Sequence, residues 1–162
     1  MLNELLQEDI PRILLEEIRA KNLDIELGEV PRHFVRISHY GIVSFVEISD
    51  NSPVITLWRS PSGVISQNED GIINYANCSA AKMLGYQKLV DIPYVYIVPE
   101  RYSSQRAQQY DTILKTGIPY KFNTKRIHKR GHQINIVTQI FRYGLSIGKY
   151  GIAEIIKPNI YI

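Results

Sequence analysis

Residues 119–156 hold three strand-like runs, 119–127, 133–141 and 150–156, the first two largely alternating apolar and polar side chains, separated by Lys129-Arg130-Gly131 and by a loop through Gly144 and Gly148. A period of two sends successive side chains to opposite faces of a strand, and connections this short join neighbouring strands in antiparallel order. This part of the chain is therefore expected to fold as an antiparallel meander. Tyr120, Phe122 and Thr124 share one face of the first run, and Ile134, Ile136, Thr138 and Ile140 share one face of the second. Lys121, Asn123, Lys125, Asn135 and Gln139 take the opposite faces. In the third run Glu154 falls beside Ile152 and Ile156. A carboxylate facing a core must be paired, hydrogen-bonded or protonated, because burying an isolated charge is very costly. The preferred expectation leaves Glu154 at an exposed edge.

Upstream of the meander, Tyr102, Arg106, Tyr110, Ile113 and Leu114 have helical spacing over residues 102–116, and Gly117 stops that helix. Pro99 opens a turn, and a short helix is expected at residues 87–90. Asn77 stands in an N-cap position, its side-chain oxygen within reach of the Ser79 or Ala80 amide. The helix formers after it run to Leu84 and end at Gly85. Residues 64–66 and 72–76 read as strands joined by the hairpin turn Asn68-Glu69-Asp70-Gly71. The order ββααα(α)βββ defines an α+β fold with one antiparallel sheet. The best wall to face the strands is Tyr110, Ile113 and Leu114 on the long helix, with Met83 and Leu84 on the capped one. A filled core is preferred to a ligand-bearing cavity between them.

The N-terminal part has a different pattern. Leu2, Leu5, Leu6, Ile10, Ile13, Leu14 and Ile18 form one stripe of an amphipathic helix, and Pro11 implies either a kink or a second helix beginning there. Residues 34–38, 42–48 and 54–58 read as short strands, and Ser60-Pro61-Ser62-Gly63 marks a boundary. Two units are expected: residues 1–60, a helix with short strands, and residues 61–158. The aliphatic stripe must be buried. It either folds back on the open face of the sheet or pairs with the same helix of a second chain.

Apolar residues make up 44% and charged residues 22% of the 162, an ordinary balance for a chain with a packed core. No apolar run approaches the length needed to span a bilayer. Residues 1–20 carry Glu4, Glu8, Asp9, Glu16 and Glu17 and lack the marks of a secretory signal, so a cytoplasmic location is expected. The single cysteine, Cys78, excludes an internal disulfide and a thiolate zinc site. Between Asp111 and Glu154 there is no acidic residue, while Lys115, Lys121, Lys125, Arg126, Lys129, Arg130, Arg142 and Lys149 fall inside that interval. A solvated basic face is preferred here to a nucleic-acid or membrane surface, because aromatic interleaving and a groove-entering helix are missing.

The strings DGIINYANCSAAKMLGY (residues 70–86), VPERY (98–102), TGIPYKFNTKRIHKRGHQI (116–134) and KYGIAEIIK (149–157) resemble the successive blocks of a PAS domain, in order and with family-like spacing. The resemblance implies a five-stranded antiparallel sheet with helices on one face. It also implies a sensory or signal-transduction module that works through a small-molecule ligand, a dimer or an effector protein, in regulation of transcription or a phosphorelay. Its ligand-facing positions would be Met83, Tyr110, Phe122, Ile136, Thr138, Ile140 and Glu154. Helices preceding such domains commonly make dimer contacts, which favours a homodimer centred on Leu6, Ile10 and Leu14. No cofactor is identified. Cys78 stands just after the second strand, away from the helix that bears the cysteine of flavin photosensors, and residues 102–116 contain no histidine to hold haem. His128 and His132 flank a hairpin turn and read as solvated; His33 and His39 have no acidic or sulfur-bearing company. No catalytic set converges, so an enzyme is the weakest reading, below an anion-binding accessory protein using residues 115–149.

Overall fold

The computed structural model describes residues 9–27, 32–49 and 53–160. Helix α1 (Ile10–Ala20) carries Pro11 in its first turn, where a missing N–H is harmless. Of the predicted stripe, Leu2, Leu5 and Leu6 lie outside the described residues. Strands β1 (Arg32–His39) and β2 (Ile42–Ser49) form a separate antiparallel hairpin. The expected third short strand is instead helix α2 (Pro53–Trp58). Its β-branched composition suggested a strand, but Pro53 at the start suits a first helical turn and Leu57 finds a fully buried site.

The remaining strands are β3 (Gly63–Gln67), β4 (Ile73–Ala76), β5 (Tyr120–Ile127), β6 (Gln133–Ser146) and β7 (Lys149–Pro158). They make one sheet in the order β4-β3-β7-β6-β5, with every neighbouring pair antiparallel. Strand β6 runs on through Gly144, where a loop was expected, because β7 pairs with it as far as Ser146 with one register shift. Helix α3 (Cys78–Leu84) is capped as its sequence implied: the Ala80 amide donates to Asn77 Oδ1 at 3.1 Å. Asn77 does more than cap. Its Oδ1 also accepts from the Val64 amide at 2.8 Å, and its Nδ2 donates to the Leu57 and Ser62 carbonyls at 2.9 and 2.8 Å. No helix forms at residues 87–90; single 3-10 turns at Tyr94–Ile97 and Glu100–Tyr102 lead instead into α4 (Ser103–Thr116).

Both faces of this sheet are covered. Ile65, Ile136 and Ile156 pack with Leu84, Leu89, Tyr94 and Ile97 on the inner face under α3 and the 3-10 turn, while Ile113 of α4 packs on Ile140 and Ile152. On the outer face Ile10, Leu14, Leu15 and Ile18 of α1 and Leu57 of α2 pack on Val64, Tyr75, Phe141, Tyr143, Ala153 and Ile155. The described part of the stripe, Ile10, Ile13, Leu14 and Ile18, is thus packed by folding back. Of Leu6, Ile10 and Leu14, the expected centre of a dimer contact, Ile10 and Leu14 are 4% and 0% exposed within one chain, and Leu6 lies outside the described residues. Among the described residues no helix is long and apolar enough to cross a membrane.

Candidate functional site

The antiparallel register places Glu154 of β7 opposite Ile140 of β6, on the inner face and next to Thr138. Its exposure is 2%, so the expected edge position is wrong: β7 is an interior strand with β3 on one side and β6 on the other. The charge is compensated. Arg126 of β5 donates through Nη2 to Glu154 Oε2 at 2.7 Å and through Nε to Oε1 at 3.5 Å, with both side chains almost completely buried. The Tyr94 hydroxyl donates to Oε1 at 2.6 Å and the Thr138 hydroxyl to Oε2 at 2.8 Å. Arg126 Nη2 also reaches the Tyr94 oxygen at 3.0 Å, and Nη1 donates to the Lys125 carbonyl at 2.9 Å.

Burial opposes the charge on Arg126, but the combined pull of Glu154, Tyr94 and Tyr110 exceeds that cost and raises its pKa above the ordinary value. Burial, reinforced by the Glu154 charge, pushes the Tyr94 and Tyr110 phenols well up, with Arg126 offsetting part of the shift. Both tyrosines therefore stay protonated at neutral pH, and Tyr94 donates to Glu154. The arrangement can fix a charge pair across β5, β7 and the 3-10 turn, with Thr138 adding β6. Among the described residues no nucleophile–base pair adjoins it.

Beside this network a cleft of about 330 Å³ opens between α4, the β3–β4 turn and the start of β7. Tyr94, Tyr110, Arg106, Gln67 and Tyr150 are among its lining residues. Gln67 Nε2 donates to the Tyr110 hydroxyl at 3.0 Å, and the Tyr94 and Tyr110 rings lie 6.1 Å apart. A second gap, between α4 and β5, has only about 10 Å³, at the limit of what one water needs. Of the predicted ligand-facing residues, Tyr110 lines the cleft and Phe122 and Ile140 line the small gap. Met83 is packed on the α3 core, while Ile136, Thr138 and Glu154 are fully enclosed, and none of these four lines either space.

Arg126 was missed as an interior residue, although alternation puts it two beyond Thr124 on the inward face; its charge masked the pattern. Tyr94 and Gln67 had no sequence signal beyond residue type, whereas Arg106 shared the helical spacing of Tyr110 without being read as a site residue. Cys78 is the first residue of α3, and the rings of His128 and His132 stack at 4.3 Å on the β5–β6 turn. His128 lies against Gly85, whose φ of +76° is the left-handed C-cap of α3. Among the described residues there is no group of three metal-ligating side chains. The basic interval is dispersed: Lys115 pairs with Asp111, Lys121 with Asp24, Arg126 with Glu154 and Lys149 with Glu69, while Arg142 stacks over Tyr150. Lys125, Lys129, Arg130 and Arg142 have no acidic partner among the described residues.

The sheet order, the helices on its inner face and the buried network between them define a PAS fold. Its solved likenesses include the PAS domain of a Colwellia psychrerythraea protein, at 16% identity and TM-score 0.55 over 60% of this chain and 86% of that one. The PAS domain of an HTR-like protein from Haloarcula marismortui gives 16% and 0.54 over 64% and 85%. The PAS domain of a LuxR-family transcriptional regulator from Burkholderia thailandensis, solved in complex with ethanol, gives 12% and 0.51 over 63% and 92%. The sequence profile of the MEKHLA domain matches residues 34–142, and the chain belongs to the MEKHLA domain family. No curated protein matches the chain.

Proposed function

We propose that this chain is a sensory PAS-type module that reads a small molecule at the inner face of its sheet and passes the change on by protein contact, in regulation of transcription or a phosphorelay. The observation that carries this reading is the buried Arg126–Glu154 pair, tied to Tyr94 and Thr138 and adjoining an open cleft. A buried ion pair is a poor device for stability, because desolvation offsets its attraction, but it holds its partners in one arrangement. A molecule in the cleft would touch Tyr94 and Tyr110 directly and so bear on a group anchored in three strands. Met83, Phe122, Ile136, Thr138, Ile140 and Glu154 then form the wall behind the first contacts. In this reading residues 61–158 are the sensing unit and residues 1–60 a second unit, of which α1 and α2 cap the outer face of the sheet. A homodimer through Leu6, Ile10 and Leu14 would require α1 to leave the sheet, so the output is assigned to a contact that leaves α1 in place.

The test uses native mass spectrometry of the purified protein and thermal unfolding with fractions of host small-molecule extract. A retained small molecule or a stabilising fraction is expected, with the response reduced in Tyr94→Phe. A protein that retains nothing and whose unfolding temperature no fraction raises would refute the reading.

A further inference from the structure

We infer that the cleft takes a small organic monocarboxylate with an apolar or aromatic body, held by Arg106. The assignment rests on the sensory reading above and adds the chemical class of the ligand. Arg106, on α4, is half-buried, and its Cζ lies 6.0 Å from the ring centroids of both Tyr94 and Tyr110. The other cations around the cleft are engaged: Arg126 with Glu154, Lys149 with Glu69, and Arg142 with the Leu114 carbonyl and the Tyr150 ring. Among the described residues Arg106 makes no hydrogen bond or ion pair. Its guanidinium therefore keeps its planar fork of N–H donors for something else, and a carboxylate is the group that matches that fork with two parallel bonds.

The rest of the lining sets the body of the ligand. The Tyr94, Tyr110 and Tyr150 rings with Leu114 and Ile152 offer apolar and aromatic surface, and about 330 Å³ is at the lower end of small-molecule sites. Glu69 and Asp70 belong to the same lining. Lys149 offsets the Glu69 charge, but that of Asp70 disfavours a second carboxylate on the ligand and makes the cleft a poor site for polyanions. The neighbouring Arg126 adds little attraction of its own, since Glu154 neutralises it.

Titration calorimetry and thermal unfolding of the full chain would compare benzoate, phenylacetate and hexanoate with benzamide, benzyl alcohol, succinate and sulfate. The monocarboxylates are expected to bind and to raise the unfolding temperature, whereas benzamide and benzyl alcohol fail. Arg106→Gln should weaken binding about tenfold or more, with Arg106→Lys in between and both variants keeping the far-ultraviolet spectrum of the parent. Equal binding of benzamide and benzoate, unchanged in Arg106→Gln, would overturn the carboxylate assignment while leaving a ligand-sensing cleft. Equal binding of sulfate or succinate would overturn it in favour of a general anion site. If none of the three monocarboxylates binds at millimolar concentration the assignment also fails, and the extract experiment alone then decides the sensory reading.

Discussion

On the outer face of the sheet, α1, α2 and residues 21–27 cover Val64, Tyr75, Phe141, Tyr143, Ala153 and Ile155 without one buried charge, whereas the inner face holds the Arg126–Glu154 pair among Ile136, Ile140 and Ile156. The polar groups of the outer face are neutral and all but one find local partners: Ser66 donates to Asn74, Asn74 to the Tyr143 oxygen, and the Tyr143 hydroxyl to the Gln67 carbonyl, while the Tyr75 hydroxyl is buried without a hydrogen-bond partner among the described residues. Apolar burial of that kind scales with area and tolerates no rearrangement without loss. A buried charge pair contributes little net stability but strongly penalises any state in which one partner is left alone. The outer face therefore rests on apolar burial alone, whereas the inner face adds to its own apolar core a pair whose partners cannot be separated cheaply.

Breaking the inner side should give the largest effect. Glu154→Ala leaves Arg126 buried without a counter-charge and is expected to cost about 3–5 kcal/mol, read as a lowered urea midpoint. The double variant Glu154→Leu with Arg126→Met should recover most of that loss, because it removes both charges together. If the double variant is as unstable as the single one, the penalty comes from packing and the contrast between the faces disappears.

The outer side gives the next effect. Leu14 is fully buried between α1 and the sheet, so Leu14→Ala should cost about 3 kcal/mol through lost transfer energy and a residual cavity. Here no second substitution of charge can compensate, and ligand response per folded molecule should be unchanged. A Leu14→Ala protein with parental stability would show that α1 leaves the sheet in solution, which is the condition a dimer through that helix requires.

The meander, the capped helix and the long helix were legible because each rests on local signals: a period of two in most of residues 119–127 and 133–141, Asn77 before a helical run, and Gly117 after one. The segment 53–58 was misread because a short run such as Val54-Ile55-Thr56-Leu57-Trp58 has no period of its own, and burial of Leu57 decided its state. The fate of the aliphatic stripe could not be read locally at all, since folding back and dimerisation bury the same residues. Glu154 illustrates the harder problem. Its inward face was legible and the need for a partner followed from the charge, but the partner is Arg126, 28 residues earlier in sequence. Only the antiparallel pairing of β5 with β6 and of β6 with β7 brings the two together.

The smallest effect belongs to charges at the rim of the outer face and sharpens the contrast with the buried pair. Asp24 lies in the segment that follows α1, with Lys157 at 3.3 Å and Lys121 at 3.5 Å, and its side chain is 62% exposed. The hydrogen bond and charge of Lys157, with Lys121 adding to them, hold its carboxyl below the usual range despite slight burial. The unfolded chain then binds the proton more readily than the folded one, so the stabilisation is complete above a pH of about 4 and is lost as pH falls through the lowered folded value. Exposure and screening limit it to less than about 1 kcal/mol. Asp24→Asn should therefore lower the urea midpoint slightly at neutral pH and low salt, with the difference vanishing in acid and at high salt. A loss that persists at high salt would instead implicate the backbone of Asp24, whose amide and carbonyl are bonded to the Gln139 side chain at 3.1 and 2.7 Å. The Arg126–Glu154 penalty should not respond to salt, because no counterions reach a pair that is almost completely buried.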